Sequence, residues 1–227
     1  MPLIDAAQAQ KHVTINEAIL RMDALGASRV ESRSFTSPPE TPEDGTAYIV
    51  GKSASDLWET HDEEVAIYQN GGWRFVSPWD GLKIWVADEA TNVCFQLGSW
   101  NASQLSSSVR GAQTICRTIE FEHTLDHSPT SSTGTIIPDK ATVIGVTGRV
   151  ILDITGPTSW SLGVSGSPDR YGSGYGTSTG SFAHGMTGQP QTYFGSTALE
   201  ITSDGIAFSA GVIRLAIHVL EIKPPTL

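Results

Sequence analysis

Residues 136–175 read IIPDKATVIGVTGRVILDITGPTSWSLGVSGSPDRYGSGY, the longest apolar alternation in the chain. Ile144, Val146, Val150, Leu152 and Ile154 share one parity. Successive strand side chains point to opposite faces, so these five fall on one face of a strand. Gly156 and Pro157 then break the run as a turn does. A second strand over 158–164 sets Trp160, Leu162 and Val164 on one face, and beyond it the chain turns glycine-rich and presents Tyr171 and Tyr175. A sandwich core running out into an aromatic, glycine-lined rim is the expected architecture.

The flanking sequence extends the same pattern. Along 114–125, Ile115, Ile119, Phe121 and Leu125 share a parity, and along 212–222 so do Ile213, Leu215, Ile217 and Val219. Eight glycines within 163–188 predict loops there, with short strands expected at 192–202 and 206–208. Seven or eight antiparallel strands with regular turns make residues 109–227 a β-sandwich of jelly-roll type.

Towards the N-terminus a different unit is legible. Ala66-Ile67-Tyr68-Gln69-Asn70-Gly71-Gly72-Trp73 is repeated in type by Val93-Cys94-Phe95-Gln96-Leu97-Gly98-Ser99-Trp100. Each copy reads as strand, tight glycine turn, strand. With partner strands at 47–51 and 83–87, residues 36–108 form a small antiparallel meander held by Trp58, Trp73, Trp79, Trp85 and Trp100. Ser-rich residues 101–108 read as its hinge to the next domain. Residues 1–35 are an extended arm and one short helix. Thr14 and Glu17 make a capping box, Ile15, Ala18, Ile19, Met22 and Leu25 follow at helical spacing, and Gly26 stops the helix. About three turns are too few to stand alone in water, so this helix needs a partner. The fold class is all-β with a short N-terminal helix.

Composition narrows the function. The 227 residues suffice for one large or two small domains. The formal net charge is −10, and residues 1–100 hold 15 acids and 7 bases against 9 and 7 in the remainder. No Lys/Arg cluster offsets this, which excludes nucleic-acid binding through phosphates. Two cysteines, Cys94 and Cys116, cannot build a disulfide framework and read as small buried side chains. No stretch has the apolar length of a membrane span, and residues 1–25 lack signal-peptide character. The expectation is synthesis in the cytoplasm with no membrane insertion, and release by lysis as part of a particle stays open.

No spacing singles out catalysis, a metal or a cofactor. His123 and His127 would share an ion on a helix, but on a strand they stand about 13 Å apart. Gly51-Lys52-Ser53 lacks the upstream glycine and following helix of a phosphate loop, and Gly172-Ser173-Gly174-Tyr175-Gly176 lacks a strand-to-helix context. The Pro-Asp pairs at 138–139 and 168–169 mark turns rather than a carboxylate pair for glycoside cleavage. The aromatics admit two readings, core staples or platforms for sugar rings. Trp160, Asp169, Arg170, Tyr171, Tyr175 and Tyr193 combine ring faces with planar polar groups beside glycines, and are the expected carbohydrate-binding residues.

Four stretches together carry a resemblance: AAQAQKHVTINEAILRMDAL (6–25), PPETPEDGTAYIVG (38–51), the paired Gln-x-Gly-small-Trp units, and IIPDKATVIGVTGRV through GVIRLAIHVLEI. They resemble head-spike or tail-fibre proteins of tailed phages and gene transfer agents. The resemblance implies a particle appendage, a homotrimer whose N-terminal segment attaches to capsid or tail and whose C-terminal domain binds host capsule polysaccharide. A purely structural particle protein and a glycan-cleaving spike are the alternatives.

Overall fold

The computed structural model describes residues 29–226. The expected helix at 15–25, and with it most of the attachment segment, lies outside the described residues. The chain divides into two compact units, meeting in sequence at Gln104 and Leu105.

In the first unit the strands are β1 (Arg29–Val30), β2 (Ala47–Ile49), β3 (Val65–Gln69), β4 (Gly72–Val76), β5 (Lys83–Val86), β6 (Thr91–Gln96) and β7 (Ser99–Ala102), with one 3-10 turn at Asp56–Trp58. They form two sheets rather than one meander: β2-β3-β4, and β1-β5-β6-β7 with β1 parallel to β5. Each sheet holds one copy of the sequence repeat, and the copies match beyond the Trp motif. Both hairpins turn through a left-handed pair, Asn70-Gly71 (φ 53° and 77°) and Leu97-Gly98 (φ 51° and 74°), as two-residue hairpin turns require. Both turns are tied to an aspartate ahead of the first strand. The Asn70 N–H donates to Asp44 Oδ1 at 2.6 Å and the Leu97 N–H to Asp80 Oδ1 at 3.1 Å. The adjacent glycines also match, Gly45 N–H reaching the Tyr68 carbonyl and Gly81 N–H the Phe95 carbonyl.

Of the five tryptophans expected to hold this unit, Trp58 and Trp100 are buried and Trp73 is half-buried. Trp79 and Trp85 are exposed, so the expectation fails for them. Trp85 lies on the outward parity of β5, between buried Ile84 and Val86.

Within 101–108, residues 101–102 end β7 and Gln104–Ser107 form β8, and the division between the two units falls inside this stretch. The second unit continues with β9 (Gln113–Thr124), β10 (Thr130–Ser132), β11 (Thr142–Thr155), β12 (Ser159–Gly163), β13 (Phe182–Thr192), β14 (Glu200–Asp204) and β15 (Ala210–Lys223). One sheet runs β13-β11-β15-β9-β8 and the other β10-β14-β12. β9 pairs with β15, β10 with β14 and β11 with β13, all antiparallel. An antiparallel bridge from Trp160 to Tyr175 places a further segment beside β12. From β9 onward, first thus pairs with last and each inner strand with its counterpart, which is the nested pairing of a jelly roll, with β8 added at the edge beside β9.

Between the sheets Val146, Val150, Trp160, Leu162, Leu199, Ile201, Ile213, Leu215, Ile217 and Val219 are buried. Each such side chain stabilises the fold by about 1.5–3 kcal/mol before entropy is counted. The parity expected along β11 holds only in part. Register slips between Val143 and Gly145 and between Val150 and Leu152 rotate the strand locally. Ile144 is therefore only half-buried, and Leu152 is 56% exposed, because a bulge moves side chains to the other face. The loop expected through residue 188 is interrupted by β13, and residues 206–208 are not a strand although Phe208 is buried. Cys94 is half-buried and Cys116 exposed, so neither is the core side chain expected.

Candidate functional site

The expected aromatic rim is largely a core. Trp160 is 0% exposed and donates its Nε1–H to the Gly176 carbonyl at 2.9 Å. Tyr171 is 1% exposed, and its hydroxyl bonds the Tyr193 hydroxyl at 2.8 Å. Burial, then the Tyr193 bond, pushes the Tyr171 phenol well above the usual range. The backbone explains why a glycine-rich loop is so well held. Tyr171 N–H donates to the Leu162 carbonyl and Tyr175 N–H to the Trp160 carbonyl, so residues 171–175 run against β12. Glycine permits close packing here: a Cβ on Gly185 would lie 2.2 Å from the Tyr171 carbonyl oxygen. Trp160 and Tyr171 therefore offer no ring face to a ligand, contrary to expectation. Tyr175 and Tyr193 are half-buried; Tyr175 donates to the Tyr171 carbonyl and packs on Trp160 at 4.9 Å between ring centroids. Asp169 and Arg170 are exposed, and Arg170 Nη1 donates to Gln191 Oε1 at 3.4 Å.

A groove of about 400 Å³ lies instead on the outer face of the five-stranded sheet, within the ~300–1,000 Å³ range of small-molecule sites. Register places its walls. Arg149 on β11 faces Phe182 on β13 and Arg214 on β15, and Arg214 faces Glu122 on β9. One step along, Thr147 faces His184 and Ala216, and Ala216 faces Glu120. Directly opposed residues on paired strands hold their Cβ atoms about 4.5–5.5 Å apart, so these two rows form one continuous surface. Small Ala216 keeps the centre low while Phe182, His184, Arg149, Arg214 and Glu120 rise around it. Phe182 is 64% exposed, with Met186 at 71% two residues on. The next row is tied across strands by His218, whose ring nitrogens bond Thr147 Oγ1 at 3.2 Å and Thr118 Oγ1 at 3.3 Å.

The groove is electrically graded. Arg214 donates to Glu122 Oε1 from Nε at 3.2 Å and Nη2 at 2.6 Å, and Glu122, then Glu120, raise its pKa. Arg149 donates Nη1 to the Gly180 carbonyl at 3.1 Å and has no carboxylate partner among the described residues. One side thus presents an aromatic ring and a guanidinium, the other carboxylates. Sequence reasoning missed this site because Ala183, Gly185 and Gly188 make β13 look like loop. The readable signal was the two-residue period of Phe182, His184 and Met186.

His123, Ser131 and Asp126 form a second polar cluster, with His123 Nε2 and Ser131 Oγ 2.8 Å apart and Ser131 Oγ donating to Asp126 Oδ2 at 3.2 Å. Ser131 is 0% exposed and the aspartate bonds the serine rather than the imidazole, so this is not a nucleophile–base–acid relay. Burial lowers the His123 pKa against the opposing pull of Asp126. Among the described residues no group of three or more His, Cys, Asp or Glu is placed to hold a metal, and no helix is long and apolar enough to cross a membrane.

Residues 15–101 match a family described as "Protein of unknown function (DUF2793)". No curated protein matches the chain. A solved chain from "Cyanophage Pam1 capsid asymmetric unit" is similar at 26% sequence identity and a TM-score of 0.33, over 48% of this chain and 84% of that one. That score is too low for a shared fold to follow from it.

Proposed function

We propose that the protein is an appendage, a head spike or tail fibre, of a phage-like particle or gene transfer agent, and that its second unit binds cell-surface polysaccharide without cleaving it. The groove on the outer sheet face carries this reading. It is open, of ligand size, and joins an exposed ring for sugar C–H faces to planar polar groups for hydroxyls. The motif resemblance at residues 6–25 and 38–51 supports attachment through the N-terminal segment to capsid or tail. Three copies per appendage turn weak single sites into useful avidity. A structural particle protein would share the fold and bind no glycan; a cleaving spike would release reducing ends.

The test is binding of the purified chain to isolated capsule and to a glycan array, with reducing ends measured alongside. Retention by capsule that falls at least tenfold in Phe182→Ala, with no reducing-end release, supports the proposal. Normal retention by that variant removes the groove, and absence of any glycan binding leaves the structural reading.

A further inference from the structure

We infer that the outer-face groove takes an acidic saccharide, its carboxylate on Arg149 and its ring face on Phe182. This rests on the glycan-binding reading of the same groove and names the ligand class within it.

Arg149 and Arg214 are directly opposed on paired strands. Like charges so placed are destabilising, so the fold has a reason to neutralise both. Only one is neutralised from within: Glu122 takes Arg214. Arg149 makes one hydrogen bond to a neutral carbonyl, and its side chain is exposed. A guanidinium presents five donors in a fixed fork, matched by a planar carboxylate that accepts two parallel bonds. The groove therefore lacks one anion, at one defined place. Phe182 stands directly across from Arg149 on the neighbouring strand, so a carboxylate on Arg149 brings the attached ring over an exposed aromatic.

The far wall suits the rest of such a molecule. Glu120 lies two strands from Thr147, about 10 Å at the usual strand spacing. A carboxylate wall accepts hydrogen bonds from hydroxyls and repels a second anion. The groove thus distinguishes a sugar acid carrying hydroxyls from a polyanion such as a polyphosphate. It also separates the ligand from a neutral glycan, which would leave Arg149 unpaired.

The experiment uses the full chain and NMR titration against saccharides in matched pairs: glucuronate- and galacturonate-containing disaccharides, and a sialylated one, each with its neutral counterpart. At least one acidic member should bind about tenfold or more tightly than its partner, as a charge-assisted bidentate contact implies. Raising salt should reduce that preference, and Arg149→Gln should abolish it. Arg149 is exposed, so this variant should keep the parent's melting temperature; the salt series reads the same contact without any substitution. Equal affinities within every pair, or a preference that survives Arg149→Gln, overturn the inference. If neutral and acidic sugars bind equally and both are lost in Phe182→Ala, the glycan reading stands without it. If no saccharide binds, both fall.

Discussion

Replacing Tyr171 by Ala should destabilise the second unit rather than blunt a binding surface. The side chain is 1% exposed, its hydroxyl meets Tyr193, and its backbone lies over Gly185. Truncating a buried aromatic to Ala costs about 3–5 kcal/mol, the transfer loss plus the cavity left behind. For a unit of this size that lowers the melting temperature by roughly 10–20 °C. Tyr171→Phe keeps the ring and loses one hydrogen bond, for about 1 kcal/mol. Gly185→Ala attacks the same packing from below, since its Cβ would meet the Tyr171 carbonyl, which cannot move alone. Calorimetry of the three variants should rank Tyr171→Ala and Gly185→Ala far below the parent and Tyr171→Phe close to it. A Tyr171→Ala protein melting within about 2 °C of the parent, yet failing to bind glycan, would refute the burial argument and return the site to the loop.

Three further outcomes are expected. Asp44→Ala and Asp80→Ala should each weaken the first unit by about 1 kcal/mol, because each removes the acceptor of one hairpin-turn N–H; thermal melts would show equal effects if the two sheets are true copies. Burial holds the His123 pKa below its ordinary 6.5, so the folded state binds fewer protons than the unfolded one. Its stabilising share is complete above that value and is lost as pH falls through it towards the folded pKa; melting against pH should slope less steeply in His123→Gln. Light scattering should give the mass of a trimer, and deletion of 1–26 should leave a folded protein that no longer joins particles; a monomer at micromolar concentration would count against the assembly.

Much of this architecture is written in short-range pattern. The two-residue alternation of β15 and β9 names their buried faces, since a strand allows only two directions for a side chain. The Gln-x-Gly-small-Trp repeat locates both hairpins, because a tight turn demands left-handed φ at the same two places. Even the sandwich follows from the number and spacing of such strands. The Asp-Gly pairs at 44–45 and 80–81 were equally legible, and complete the repeat.

Tertiary structure alone decided where the aromatics went. Tyr171 sits in glycine-rich, polar sequence, and nothing local says that β12 will take its backbone or that Gly185 will leave room beneath it. Bulges in β11 turned Leu152 outward, and a bulge is a compromise among three paired strands rather than a property of one. The groove has the same origin. Arg149, Phe182, Arg214 and Glu120 are separated by tens of residues, and became neighbours only when nested antiparallel pairing set four strands in register. Along an unbulged strand the local pattern tells which face a side chain takes; where a bulge falls, and which other side chains share that face, depends on pairings that no local pattern encodes.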